Sequence, residues 1–186
     1  MFFFDKDADI TFSVNSIERG YLAILGDDLN AAGAVFEALD SPRAKWGRAL
    51  TGIISGYMEY FPTYFEIRNF FEIDFEFLLK NEKKDYIEYL LSSLNILSET
   101  NQEVYKYAAR VFYENKFYNA ALEYMEKSKK LFYRDPELHF MLAKYYLGVN
   151  QFGMADYFLN ECLNIVPSYF PALKMKEYIV QNLDKT

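Results

Sequence analysis

The sequence predicts an all-α protein, a solenoid of stacked helical hairpins with about ten helices, and three observations carry that expectation. Residues 102–167 hold one pattern twice, offset by 34 residues: Ala109 matches Ala143, Phe112 Tyr146, Tyr118 Phe152, Ala121 Ala155, Met125 Leu159 and Ser128 Cys162. Each pair keeps its size class, with small residues where two antiparallel helices would cross and large ones beside them. Two helices approach to the short end of the 8–10 Å range only when the crossing is small, so Ala109, Ala121, Ala143 and Ala155 are the expected crossing points. Third, 52% of the 186 residues are apolar and 19% aromatic, which supplies a substantial core and argues against disorder. One hairpin leaves an apolar face uncovered, so hairpins must stack.

Residues 1–15 mix Phe with Asp and lack helical periodicity, so an irregular lead-in is expected. Asp5, Asp7 and Asp9 imitate a calcium loop, but Ile10 stands where the sharp turn needs Gly and Ser16 where the final Glu belongs. A single domain is expected over 16–183. It opens with a degenerate repeat at 16–42: helices at 16–25 and 28–39 around Gly26 and Asp27, with Leu29, Ala32, Phe36 and Leu39 in the small and large order of Tyr118, Ala121, Met125 and Ser128.

Irregular helices follow over 43–98. Ser41 caps and Pro42 opens a helix to about residue 58 that buries Trp46, Ala49, Leu50 and Ile53. Gly47, Gly52 and Gly56 would each cost it about 1 kcal/mol, for which a close helix crossing compensates. Thr63 and Glu66 have capping-box spacing before a helix to Leu79 that is apolar nearly all round, hence buried or covered by a partner. A polar turn at 81–85 precedes a helix to about Ser98, with Ile87, Leu90, Leu91, Leu94 and Leu97 on one face. The clear repeats occupy 102–135 and 136–167, and a polar-backed capping helix at 170–183 turns Leu173, Ile179 and Leu183 inward. Strict alternation of inner and outer helices would make the helix at 102–115 outer, so the alternation must break within an aromatic-rich middle segment.

The spacing of Leu142, Ala143, Tyr146, Phe152, Ala155 and Leu159, closed by Pro167, resembles the tetratricopeptide repeat (TPR) family. The first copy carries Asn115 and Lys116 where the family's turn usually has Gly. The resemblance implies a right-handed solenoid whose inner helices line a concave peptide-binding groove. Carried over residue by residue, that groove is lined by Lys106, Tyr107, Arg110 and Tyr113, then Phe140, Met141 and Lys144, then Lys174, Met175 and Tyr178. The family's carboxylate clamp pairs Lys with Asn; Lys106 fits the Lys position, while Arg110 stands where Asn is usual. Four cations and several aromatics in a chain of net charge −7 imply an acidic, partly hydrophobic segment as partner.

That net charge also disfavours nucleic acid as a partner. No apolar run reaches the roughly 18 residues of a membrane span, the N-terminus lacks an export signal, and one cysteine, Cys162, excludes an internal disulfide, so the cytoplasm is the expected location. His139 and Cys162 are the pair to test for nucleophilic chemistry, yet both fall on repeat core positions, matching Tyr105 and Ser128. Glu66, Asp74 and the pair Glu72 and Glu76 share helical stripes, but such bundle metal sites recruit His and the only one is elsewhere. No metal, cofactor or catalytic activity is expected. The function read from the sequence is a protein–protein interaction adaptor. Alternatives are a TPR-type chaperone of a secreted client, and a structural subunit or homodimer formed through the helix at 63–79.

Overall fold

The computed structural model describes residues 16–57 and 62–183 and is all-helical, with no strand among the described residues. The lead-in at 1–15, with its acidic triplet, lies outside them. The chain divides between Ser93 and Leu94 into two compact units, where the sequence reading drew one domain.

The N-terminal unit begins with α1 (Ser16–Leu25), α2 (Leu29–Glu37) and α3 (Pro42–Ser55). Caps fix their ends. Asp28 accepts from the Ala31 amide at 2.9 Å and Ser41 from the Ala44 amide at 3.2 Å, while Gly56 closes α3 with φ 76°. The expected close crossing is at Gly47: Phe36 of α2 is wholly buried, and a Cβ on Gly47 or on Gly20 of α1 would lie 2.5 Å from its ring.

The single helix expected after Thr63 is instead three pieces: α4 (Ile67–Phe70), a π-helical turn (Phe71–Phe75) and α5 (Glu76–Lys80). Half of the expected capping box forms, with Glu66 accepting from the Thr63 amide at 3.0 Å and its hydroxyl at 2.6 Å, while the Glu66 amide bonds the Thr63 carbonyl and the helix starts only at Ile67. The wider π turn brings Phe70, Phe71, Asp74 and Phe75 all inward, which a regular helix would splay over a broader arc. Next come α6 (Lys84–Ser92) and, opening the second unit, α7 (Leu94–Thr100), where one helix was expected. Ser92 and Ser93 hydroxyls bond back to the Glu88 and Leu90 carbonyls at 2.8 and 2.7 Å, competing with the helical ladder at the break.

Asp74 is fully buried, accepting from the Tyr21 hydroxyl at 2.6 Å and from Arg43 at 2.9 Å. The same arginine stacks over the Tyr21 ring at 4.5 Å. Burial pushes the Asp74 carboxyl up to about 6, against an ordinary 3.8, despite Arg43 and Tyr21 drawing it down. The folded state therefore holds a proton that the unfolded chain has released between those values, and the stability of this unit falls as pH rises from about 4 to about 6. Comparing wild type with Asp74→Asn by thermal melting over that range should show the wild type losing its relative advantage, by on the order of 1–3 kcal/mol. Parallel curves would contradict it.

The C-terminal unit continues with α8 (Val104–Glu114), α9 (Tyr118–Leu131), α10 (Pro136–Gly148), α11 (Phe152–Ile165) and α12 (Phe170–Leu183). Helix α8 packs on α9, α9 on α10, α10 on α11 and α11 on α12. Ala109, Ala121, Ala143 and Ala155 are all wholly buried, as are Met125, Leu159 and Cys162. The two hairpin turns match: Lys116 and Asn150 take φ 67° and 59°, and the next amide reaches back five residues, Phe117 to Phe112 at 2.9 Å and Gln151 to Tyr146 at 2.8 Å. Asp27 and Glu82 in the N-terminal unit repeat this turn, with Asp28 bonding Ala23 at 2.9 Å and Lys83 bonding Leu78 at 3.1 Å. The left-handed residue therefore need not be Gly.

Helix α12 corrects one expectation. Among its described side chains Ala172 and Ile179 are buried, the latter as expected, whereas Leu173 is 39% exposed and Phe170 and Val180 more so; the Leu183 side chain lies outside the described residues. The face that packs on α11 is rotated from the one read off Leu173.

Candidate functional site

The residues assigned to a groove on α8, α10 and α12 separate into a buried ionic cluster and an exposed remainder. Lys106 is only 3% exposed. Its ammonium meets Asp135 at 2.6 Å, Glu103 at 2.7 Å and Glu137 at 3.1 Å. Arg110 pairs with Glu137, and Tyr107, also buried, donates its hydroxyl to Glu103 at 2.6 Å. Asp135 does two tasks at once, since its other oxygen caps α10 by accepting from the Glu137 and Leu138 amides at 2.9 and 3.1 Å.

Two cations face three carboxylates here, so the expected basic character at Lys106 and Arg110 is cancelled from within. Burial pushes the Glu103 carboxyl up, but hydrogen bonds from Lys106 and Tyr107 outweigh it and hold the group below its ordinary range. Tyr107 is pushed up to about 12 by burial and by Glu103. Lys106, Tyr107 and the buried Met141 are thus corrected from surface ligands to structural residues: the cluster ties α8 to the start of α10.

The exposed remainder is different. Lys144 on α10 is exposed and has no carboxylate partner among the described residues; its ammonium lies over the half-buried Tyr113 ring of α8, 4.9 Å from the centroid. Phe140, half-buried, contacts the Tyr169 ring at 5.5 Å. On α12, Met175 is half-buried and Tyr178 is exposed, while Lys174 pairs with Glu177 at 2.8 Å and lies 5.5 Å from the Phe170 ring. Both members of that ion pair are more than half exposed, so it is worth little and exchanges readily. A cleft lined by Tyr113, Tyr118, Tyr145, Gly148 and Val149 opens beside Tyr113, a feature missed because three of these residues sit at helix ends and turns.

His139 and Cys162 are core residues. The His139 Nε2–H donates to the Tyr133 carbonyl at 2.7 Å, and its ring lies between Tyr133 and Phe158 at 4.8 and 6.0 Å. Burial lowers its proton affinity and pushes the Cys162 thiol up to about 11, which keeps that sulfur un-ionised near neutral pH. Asp74 is held by Tyr21 and Arg43, and no group of three or more His, Cys, Asp or Glu suited to a metal occurs among the described residues. No helix there is long and apolar enough to cross a membrane. The sequence matches no protein-family model and no curated protein.

Proposed function

We propose that the chain is a TPR-like, right-handed helical-repeat protein whose C-terminal unit is a protein-interaction module, binding an acidic, partly hydrophobic segment along α10 and α12. The 34-residue offset, the buried alanines and the matched turns support the architecture. One observation carries the function: Lys144 stands exposed over the Tyr113 ring, with no carboxylate partner among the described residues. A cation so placed pairs with an acid from outside, while Tyr113, Phe140 and Tyr178 supply contact area at low entropic cost. The affinity expected of such a surface is micromolar, about −8 kcal/mol. The buried thiol fits the reducing cytoplasm, and a client-holding chaperone would use the same surface.

The test selects 12-residue peptides from a random display library on the full chain, then measures their affinity for a Lys144→Glu, Lys174→Glu variant and for Lys130→Glu on α9 as control. Binding should weaken more than tenfold in the double variant and little in the control. Equal affinities across all three would overturn the reading.

A second reading rests on Tyr64 and Phe65, which contact edge to face at 5.4 Å and are 51% and 86% exposed. Such a pair suits a homodimer contact of the N-terminal unit. Light scattering that gives twice the chain mass, reduced to one by Phe65→Asp, would favour it; a monomer at every concentration would exclude it.

A further inference from the structure

We infer that the cleft lined by Tyr113, Tyr118, Tyr145, Gly148 and Val149 is an anchor pocket that takes one bulky apolar or aromatic side chain of a partner segment, with Lys144 at its rim pairing an acidic residue next to that anchor. This rests on the interaction reading above and assigns it a subsite.

The pocket is made jointly by both repeats. Tyr113 lies in the last turn of α8 and Tyr118 begins α9, so the first hairpin turn is flanked by two rings; Tyr145 lies in the last turn of α10, Gly148 ends it and Val149 follows. The rings are held in place. Tyr113 and Tyr118 meet edge to face at 5.4 Å, and Tyr145 is braced by Tyr146 at 5.3 Å and 88°. Partial burial raises the Tyr113 proton affinity, so the ring stays a neutral phenol. Three tyrosines present flat apolar walls with hydroxyls at their edges, the composition of surfaces that hold an anchoring side chain and bond its neighbouring backbone.

Gly148 is the opening. A Cβ there would meet nothing within 4 Å among the described residues, so the Gly148 edge of the cleft is open. The charge of the occupant follows from the rim. Lys144 already lies over the Tyr113 face, which lowers the cost of placing its ammonium near an apolar guest, and no carboxylate among the described residues pairs with it. An anchor flanked by Asp or Glu satisfies both the tyrosine walls and the Lys144 rim; a basic or uncharged segment satisfies only the walls.

Gly148→Leu separates binding from folding. The position ends a helix, its φ is not left-handed, and a Cβ finds open space, so the variant keeps or gains thermal stability while its side chain blocks the pocket. Peptides selected on the full chain should share Phe, Trp, Tyr or Leu next to Asp or Glu. Gly148→Leu should weaken them at least tenfold with the melting temperature held. Lys144→Glu should weaken them about tenfold and be rescued by peptides whose acid is changed to Lys. If selected peptides bind Gly148→Leu as well as wild type, the pocket is overturned while the interaction reading stands. If they bind in the pocket but carry basic or uncharged flanks, the acidic occupant is overturned. If no peptide is enriched, both this inference and the reading beneath it fail.

Discussion

Lys106→Met destabilises the C-terminal unit by about 3–5 kcal/mol, read as a shift in its urea midpoint at constant slope. The magnitude follows from what is left behind. Asp135, 3% exposed, loses the ammonium at 2.6 Å that neutralises it, while Glu103 and Glu137 lose contacts at 2.7 and 3.1 Å. Removing one partner of a buried ion pair costs far more than the pair's net worth, because the remaining charge stays desolvated. Arg110 stays near Glu137 but carries one charge against three. Replacing Asp135 and Lys106 together should cost less than the sum of the two single changes, since neither then strands the other. A Lys106→Met protein with wild-type stability would mean the ammonium sits in water.

The second large effect is at Gly47. Gly47→Val should destabilise the N-terminal unit by about 3 kcal/mol, the upper end of overpacking costs, because its first added atom would lie 2.5 Å from the Phe36 ring. The ring cannot swing aside: it is wholly buried, Gly20 presses it from α1, where a Cβ would also lie 2.5 Å away, and Tyr21 meets it at 5.1 Å. The helix propensity gained over Gly, at most about 1 kcal/mol, does not offset this. Trimming Phe36 to Leu in the same chain should recover part of the loss, a coupling that a merely flexible glycine would not show. Denaturant unfolding of the four variants in that cycle measures it.

These two sites also show what could and could not be foreseen from the residues. Gly47 was legible, because glycine inside an apolar helical stripe calls for a close neighbour, though nothing named Phe36 as that neighbour. The hairpins at 102–167 were legible because Ala109, Ala121, Ala143 and Ala155 recur at one offset, and their burial accords with that pattern. Lys106 was misread because a lysine on a helix defaults to solvent. Its main partners, Asp135 and Glu137, lie about 30 residues on and reach it only through the packing of α8, α9 and α10. The one local signal was Glu103, three residues before it. Period 3.6 was assumed throughout 63–79, so a π turn that gathers Phe70, Phe71, Asp74 and Phe75 on one side had no place in that reading. Leu173 failed for a similar reason: α12 packs mainly on α11, and a small residue, Ala172, is buried where a large one was expected.

The Lys106 cluster and Lys144 stand on the same repeats yet are assigned opposite tasks, one holding helices together and the other free to pair with an external acid. The direct test is an amide chemical-shift titration of the isotopically labelled full chain with an enriched peptide. Perturbations centred on residues 113–118 and 140–149, extending to α12, are the expected result. Shifts confined to residues 16–93 or to α11, with Lys144 and Tyr145 unmoved at saturation, would contradict it.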